Sequence, residues 1–343
     1  MNNNKTERNI LLDYLRGVAC LLTVLYHYTQ RYTELFPNLE NWAFRAQYGY
    51  MAVATFFMLS GYLSVVKDES TTGVWTYIRK RAIRLFPAYW VAIPLTFIVT
   101  YYWLPTRSVS IGSALINFTM LESFIGVPLV DGAYWTLANE LIFYTFIAVV
   151  VIHFKKRDTL PVFGLGWIMV LLVFHFVESD FLFIAAIGKL IANKYGHMFV
   201  AGGCLAYFFH NNGERRMKIF SVLSLLISVL YQFLTFGWGY TIYYVVSISI
   251  IGCCVFAKEK GYTPGKTTSK LLYPLEYLST ISYPLYLLHQ NIGYAVMEYT
   301  RKMITDSEWI VLLPCCLVGL IAHIVHKYVE IPVSRKLQPI LNK

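Results

Sequence analysis

Charged residues are scarce in this chain. They make up 14% of its 343 residues, against roughly 25% in an ordinary soluble domain. Hydrophobic residues make up 57%. A soluble protein of this length cannot hide that much apolar surface, whereas a bilayer accepts it as long uncharged runs. Metal-binding cysteine patterns are missing too. Cys20, Cys204, Cys253, Cys254, Cys315 and Cys316 form no CxxC pair and no His/Cys ligand spacing. All lie in apolar stretches, so they read as buried structural thiols, and no metal is expected. There is no P-loop, GxGxxG, GxSxG elbow or HExxH, which removes support for the chemistries those motifs carry. The N-terminus also lacks the marks of a cleavable signal. A polar MNNNKTERN leads into an apolar segment that carries an Arg and a His, without a small-residue cleavage site.

What is present is a series of apolar segments. The sequence predicts an all-α, polytopic transmembrane helical bundle of about ten spans. They fall at 10–32, 48–66, 84–104, 132–153, 161–177, 181–210, 218–235, 239–257, 275–299 and 308–328. Segment 181–210 is interrupted by Gly188, Lys189, Asn193, Lys194 and Gly196 and reads as broken or re-entrant. The longest connection, 105–131, accommodates a short interfacial helix near 110–120. Residues 1–343 are expected to form a single membrane domain with no fused soluble domain.

The net charge of +10 follows the same plan. With the N-terminus inside, 21 of the 29 Lys and Arg residues fall in cytoplasmic segments and 7 on the opposite side, with Arg16 inside the first span. That is the positive-inside pattern, with both termini cytoplasmic, and it accounts for the basic charge without nucleic acid. The 17% aromatic content, including 27 Tyr, suits membrane interfaces and polar cavities within a bundle.

Ionisable groups inside apolar spans are costly, so each is a functional candidate. Arg16 and His27 are eleven residues apart in LDYLRGVACLLTVLYHY. At 100° per residue they share one helix face, about 16 Å apart along the axis. Two readings stay open for each. Arg16 either snorkels to cytoplasmic headgroups or serves the site, and His27 is either a hydrogen-bonded core histidine or a catalytic one. Glu140, in DGAYWTLANELIFY, has a depth like that of His27. A carboxylate there could orient an imidazole, or it could be a structural hydrogen-bonding group. Trp135, Thr136 and Asn139 add aromatic and polar groups beside it.

Arg81 and Arg84, three apart in YIRKRAIRLFPAYW, share a face at the cytoplasmic mouth of the third span. Guanidinium pairs suit phosphate oxygens, and they also suit plain positive-inside anchoring. His289, in ISYPLYLLHQNIGY, sits near mid-membrane with Gln290 and Asn291 beside it. Structural, substrate-contacting and catalytic roles are all open for it. Glu330, in YVEIP, is expected to pair with a loop Arg. His323 and His326, with the remaining histidines, read as structural.

Taken in order, these motifs resemble the acyltransferase 3 family of bacterial membrane acyltransferases. The matches are Asp13–Arg16–Gly17 with His27, FFMLSGY at 56–62, RAIRLFP at 81–87, YWTLANE at 134–140, SYPLYLLH at 282–289 and YVEIP at 328–332. The resemblance implies acyl transfer, usually acetyl, from cytoplasmic acyl-coenzyme A. The acceptor it implies is a hydroxyl of a cell-envelope polysaccharide or a lipid-linked glycan. It implies a place in the bacterial cytoplasmic (inner) membrane and the functional set Arg16, His27, Arg81, Arg84, Trp135 and Glu140. Thr136 stands where the family usually has Ser, and Asn139 where it often has an apolar residue. On these grounds His27, Glu140 and Arg16 are the expected catalytic residues and Arg81 and Arg84 the expected holders of acyl-coenzyme A. Trp135, Thr136, Asn139 and His289 are the expected acceptor contacts. The rival readings are transfer of a larger acyl group such as succinyl, and transport or flipping of a lipid-linked saccharide through the same polar residues.

Overall fold

The computed structural model describes residues 8–36, 44–66, 73–153, 160–176, 194–210, 215–303 and 308–341. Every regular element among them is helical. Hydrocarbon offers backbone groups no partners, so a spanning segment must satisfy its own N–H and C=O groups.

Helix α1 (Ile10–Leu25) continues as a π-helical stretch, Tyr26–Arg31, and a last turn, Tyr32–Leu35. Then come α2 (Ala52–Val66), α3 (Val74–Trp103), the short α4 (Ile111–Asn117) and α5 (Trp135–Ile147). They are followed by α6 (Leu160–Phe176), α7 (Gly196–His210), α8 (Arg215–Phe236) and α9 (Trp238–Glu259). The chain closes with α10 (Lys266–Leu271), α11 (Tyr273–Met303), α12 (Leu312–Val325) and α13 (Ile331–Leu341). Among the described residues, seven helical stretches are long and apolar enough to cross a membrane, including Ile10–Leu35, Val74–Trp103 and Trp309–Leu337. Two shorter apolar helices, Leu160–Phe176 and Gly196–Phe209, add to these. Helix α11 has the length, with 31 residues, but carries buried polar groups. The protein is a multi-pass membrane helical bundle.

The boundaries differ in instructive places. Helix α3 starts at Val74, so the basic run 77–84 is helical rather than a loop before a span. Pro87 and Pro94 lie inside it without ending it, as membrane helices tolerate. The interfacial helix is shorter than its expected range, and Ser110 caps it by accepting a hydrogen bond from the Ser113 N–H. In the interrupted segment, Gly188, Lys189 and Asn193 lie outside the described residues, and a regular helix follows from Gly196.

The chain divides into two compact units. The first comprises Met1–Arg16, Val53–Ile78 and Asn139–Glu276. In it α2 and α7 approach closely because Gly61 and Gly202 have no side chains. A Cβ on Gly202 would stand 1.8 Å from the Met58 carbonyl oxygen, and one on Gly61 2.0 Å from that of Phe199. Small residues permit such approaches between membrane helices. Phe199 stacks on Phe57 and Phe143, with centroids 4.4 Å away in both cases. The buried His197 donates its Nε2–H to the Gln232 Oε1 at 2.7 Å.

The second unit comprises Gly17–Ala52, Arg79–Ala138 and Tyr277–Lys343. Its centre is the middle of α11, where residues from Leu287 to Ala295 are all buried. Gly293 makes room for Tyr28, since a Cβ there would lie 2.3 Å from the Tyr28 hydroxyl. The loop after α4 is held by Asn117, which donates to the Pro128 carbonyl and accepts from the Val130 N–H, both at 3.0 Å.

Candidate active site

The second unit brings two histidines from distant parts of the chain together. His27, on the π-helical stretch, lies edge-on to His289 of α11, with ring centroids 4.8 Å apart. His27 is partly exposed and His289 fully buried. The His27 Nδ1 is hydrogen-bonded to the Tyr294 hydroxyl at 3.1 Å. The neighbouring Tyr28 donates its hydroxyl proton to the His289 carbonyl at 2.8 Å. A π-helix is a wide turn often found at functional sites. Here it lets His27 and Tyr28, adjacent in sequence, both reach α11.

His289 has a defined tautomer. Its Nδ1–H donates to the Tyr286 carbonyl at 2.7 Å, which leaves Nε2 with a bare lone pair. That Nε2 is buried and has no hydrogen-bond partner among the described residues. Tyr286 joins the histidines to the start of α5. Its hydroxyl donates to the Ala133 carbonyl at 2.9 Å and lies 2.8 Å from the Thr136 hydroxyl. Thr136 and His289, both expected as acceptor contacts, therefore belong to one network.

Positive charge flanks this site. Arg31, on the same π-helical stretch, and Arg107 both act electrostatically on His27. Arg31 is paired with Glu34 at 2.7 Å. Arg107 is held by its Nε–H, which donates to the Asn291 Oδ1 at 2.7 Å, and its guanidinium stands 5.7 Å from the centre of the Tyr294 ring. Asn291 is fixed in turn by the fully buried Asp131. One Asp131 oxygen accepts the Asn291 N–H and the other the Ala133 N–H, both at 2.9 Å. Burial pushes the Asp131 carboxyl up to about 6, against the pull of those two N–H groups and of Arg107 toward the ionised form.

The remaining sequence candidates fall as follows. Arg81 and Arg84 share the second unit with His27, but they differ: Arg81 is buried and Arg84 exposed. Tyr283 of α11 donates to the Leu85 carbonyl beside them at 2.8 Å. Trp135 opens α5, half-buried. Arg16, Asn139 and Glu140 belong to the first unit. There Arg16 reaches Asp13 at 4.0 Å, and Asp13 also pairs with Arg8. Glu140 accepts a hydrogen bond from Tyr144, on the next turn of α5, and a long one from Ser60 at 3.5 Å. Beside His27 in its own unit lie the His289 imidazole and the Tyr294 and Tyr26 rings. Glu330 is paired with His326, one turn before it, at 2.6 Å. Arg84 adds electrostatic attraction to that carboxylate. His323 is hydrogen-bonded to Tyr277.

Sequence reasoning missed Tyr294, Tyr28, Asp131 and Arg107. Among 27 tyrosines nothing sets two apart, and Arg107 was absorbed into the count of outer charges. Asp131 had a visible signal: it opens the same DGAYWTLANE stretch that carries Glu140.

A multi-pass bundle that holds a close pair of imidazoles, a phenol and flanking guanidiniums carries groups suited to proton transfer. The acyltransferase domain family matches residues 9–326. The chain belongs to this family, acyltransferase 3, and is a membrane acyltransferase. It is similar to the O-acetyl transferase of Shigella phage Sf6, with 27% identity over 71% of this chain and 76% of the relative. It is also similar to ORF330 of Acidianus two-tailed virus, whose name proposes an acetyltransferase, with 24% identity over 80% of each. No solved structure matches the chain.

Proposed function

We propose that the protein is an O-acetyltransferase of the bacterial cytoplasmic membrane. It takes an acetyl group from cytoplasmic acetyl-coenzyme A and passes it to a hydroxyl of an envelope polysaccharide or a lipid-linked glycan. The observation that carries this reading is His27: a partly exposed imidazole inside an apolar span, oriented by Tyr294 and backed by His289. Such a group handles the proton of an attacking hydroxyl or takes the acyl group itself. The similarity to a protein named as an O-acetyl transferase favours acetyl over larger groups such as succinyl. Family membership favours transfer over lipid-linked saccharide transport.

In this reading Arg81 and Arg84 hold the coenzyme A phosphates, for which guanidinium forks are suited. Arg16 and Glu140 assist the transfer. Trp135, Thr136 and Asn139 contact the acceptor. The reading is tested by free-thiol release from acetyl-coenzyme A with detergent-purified full-length protein. Turnover should be lost in His27→Ala with folding intact, and acetyl-coenzyme A binding should weaken in Arg84→Ala. Near-wild-type turnover of His27→Ala, or no turnover by the wild type, would refute it.

A further inference from the structure

The reaction moves one proton off the acceptor hydroxyl, and the structure holds two imidazoles where one would serve. We infer that His289 is the catalytic base of the transfer, its bare Nε2 receiving the hydroxyl proton while His27 serves the acyl donor. The inference rests on the acyl-transfer reading above and divides its labour.

Four observations carry it. First, the tautomer is set by a backbone group, because the Tyr286 carbonyl takes the Nδ1 proton. Nε2 is then a lone pair ready to receive a proton, with no side-chain rearrangement required. Second, that lone pair has no partner among the described residues although it is buried. Leaving a buried acceptor unpaired is costly, and a catalytic role is one of the few explanations such a group admits. Third, the ring touches that of His27 and cannot turn freely. Its backbone carbonyl is held by Tyr28, and its own ring also lies 5.5 Å from that of Tyr286. Fourth, Tyr286 is hydrogen-bonded to Thr136 and Ala133 at the start of α5, so the base is fixed to the segment expected to contact the acceptor.

The step balances as follows. The acceptor O–H bond breaks, and its proton goes to the lone pair on His289 Nε2. The oxygen forms a bond to the thioester carbonyl carbon. The C–S bond then breaks, and the thiolate of coenzyme A leaves with that electron pair. The imidazolium returns the proton, and the thiolate ends as the free thiol. Neither oxidant nor metal is consumed.

The test uses the full-length protein in detergent with acetyl-coenzyme A, water standing in for the acceptor hydroxyl. In His289→Asn the amide nitrogen occupies the place of Nδ1 and keeps the bond to Tyr286, while the Nε2 lone pair is gone. Turnover should fall about 100-fold or more, the range of a lost general base, with KM for acetyl-coenzyme A and thermal stability unchanged. In His289→Ala, added imidazole should restore part of the turnover. If His289→Asn turns over within a few-fold of the wild type, His289 is only a structural donor to Tyr286 and the inference falls alone. If the wild type releases no thiol at all, the acyl-transfer reading falls and takes the inference with it.

Discussion

Tyr294 and Arg107 are stacked at the side of His27, the guanidinium 5.7 Å from the phenol ring and the phenol hydroxyl 3.1 Å from the imidazole Nδ1. A cation over an aromatic face is attracted by the ring's quadrupole, so Arg107 holds the ring that holds His27. The charge beside the imidazole and the orientation of the imidazole are thereby set by the same pair.

Tyr294→Phe keeps the ring under Arg107 and removes only the hydroxyl. Turnover of acetyl-coenzyme A should drop about ten-fold, the kinetic equivalent of roughly 1.4 kcal/mol of lost orientation. The melting temperature in detergent should change little. Unchanged turnover would mean that the phenol does not orient His27.

Arg81 and Arg84 should separate in their effects. The exposed Arg84, replaced by Ala, should raise KM for acetyl-coenzyme A without loss of stability, and added salt should weaken the wild type's binding in the same way. Arg81→Ala should also lower the melting temperature, because that side chain is packed inside the unit. Equal melting curves for the two variants would contradict the structural difference between them.

Asp131 gives the protein a pH dependence with a definite sign. Its carboxyl is raised from 3.8 to about 6 by burial, so the folded state favours the protonated form. The contribution to stability is fully present below about pH 4, is lost as pH rises through 6, and amounts to about 3 kcal/mol. Melting temperature in detergent should therefore decline between pH 4.5 and 6.5. Asp131→Asn should be less stable overall, since its amide cannot accept both N–H groups, and should lack that decline. A decline that persists in the variant would assign it to another group.

The glycines offer a direct test of packing. Gly202→Ala would push a methyl group to 1.8 Å from the Met58 backbone, where nothing can yield without moving a helix. Folded protein should be recovered in low yield, if at all. Gly293→Ala should be milder, displacing the Tyr28 ring and its bond to His289. Gly166→Ala, where a Cβ meets nothing within 4 Å, should match the wild type. Size-exclusion profiles of the three variants side by side make the comparison.

The fold was legible in the sequence because the bilayer imposes a simple rule: apolar runs of sufficient length become helices. Boundaries were less legible where polar residues are helical. The basic run before Arg84 extends α3 by two to three turns, and hydropathy alone under-reads α11, whose His289, Gln290 and Asn291 are buried in protein. His27, His289 and Thr136 were visible as polar residues in apolar spans, and the structure joins them through Tyr286. The π-helical turn was invisible, since α geometry was assumed through His27, and the reckoning of a shared face with Arg16 holds only as far as Leu25. Tyr28 and Tyr294 were hidden by number, as the chemistry of a tyrosine depends on its neighbours in space.

The π-helical stretch at Tyr26–Arg31 means that α1 holds an extra residue there without a matching gain in length. Such a turn behaves as a built-in insertion. Removing one residue from it would restore an ordinary α-helix and leave the facing of everything that follows unchanged, because the wide turn had absorbed the extra residue. The outer end, with Tyr32 and its bond to Glu298, would stay on α11. The span would still be long enough to cross a bilayer, so insertion would survive while the joint reach of His27 and Tyr28 to α11 was lost. The length of the first span and the alignment of its chemistry are thus independent quantities, adjustable one without the other.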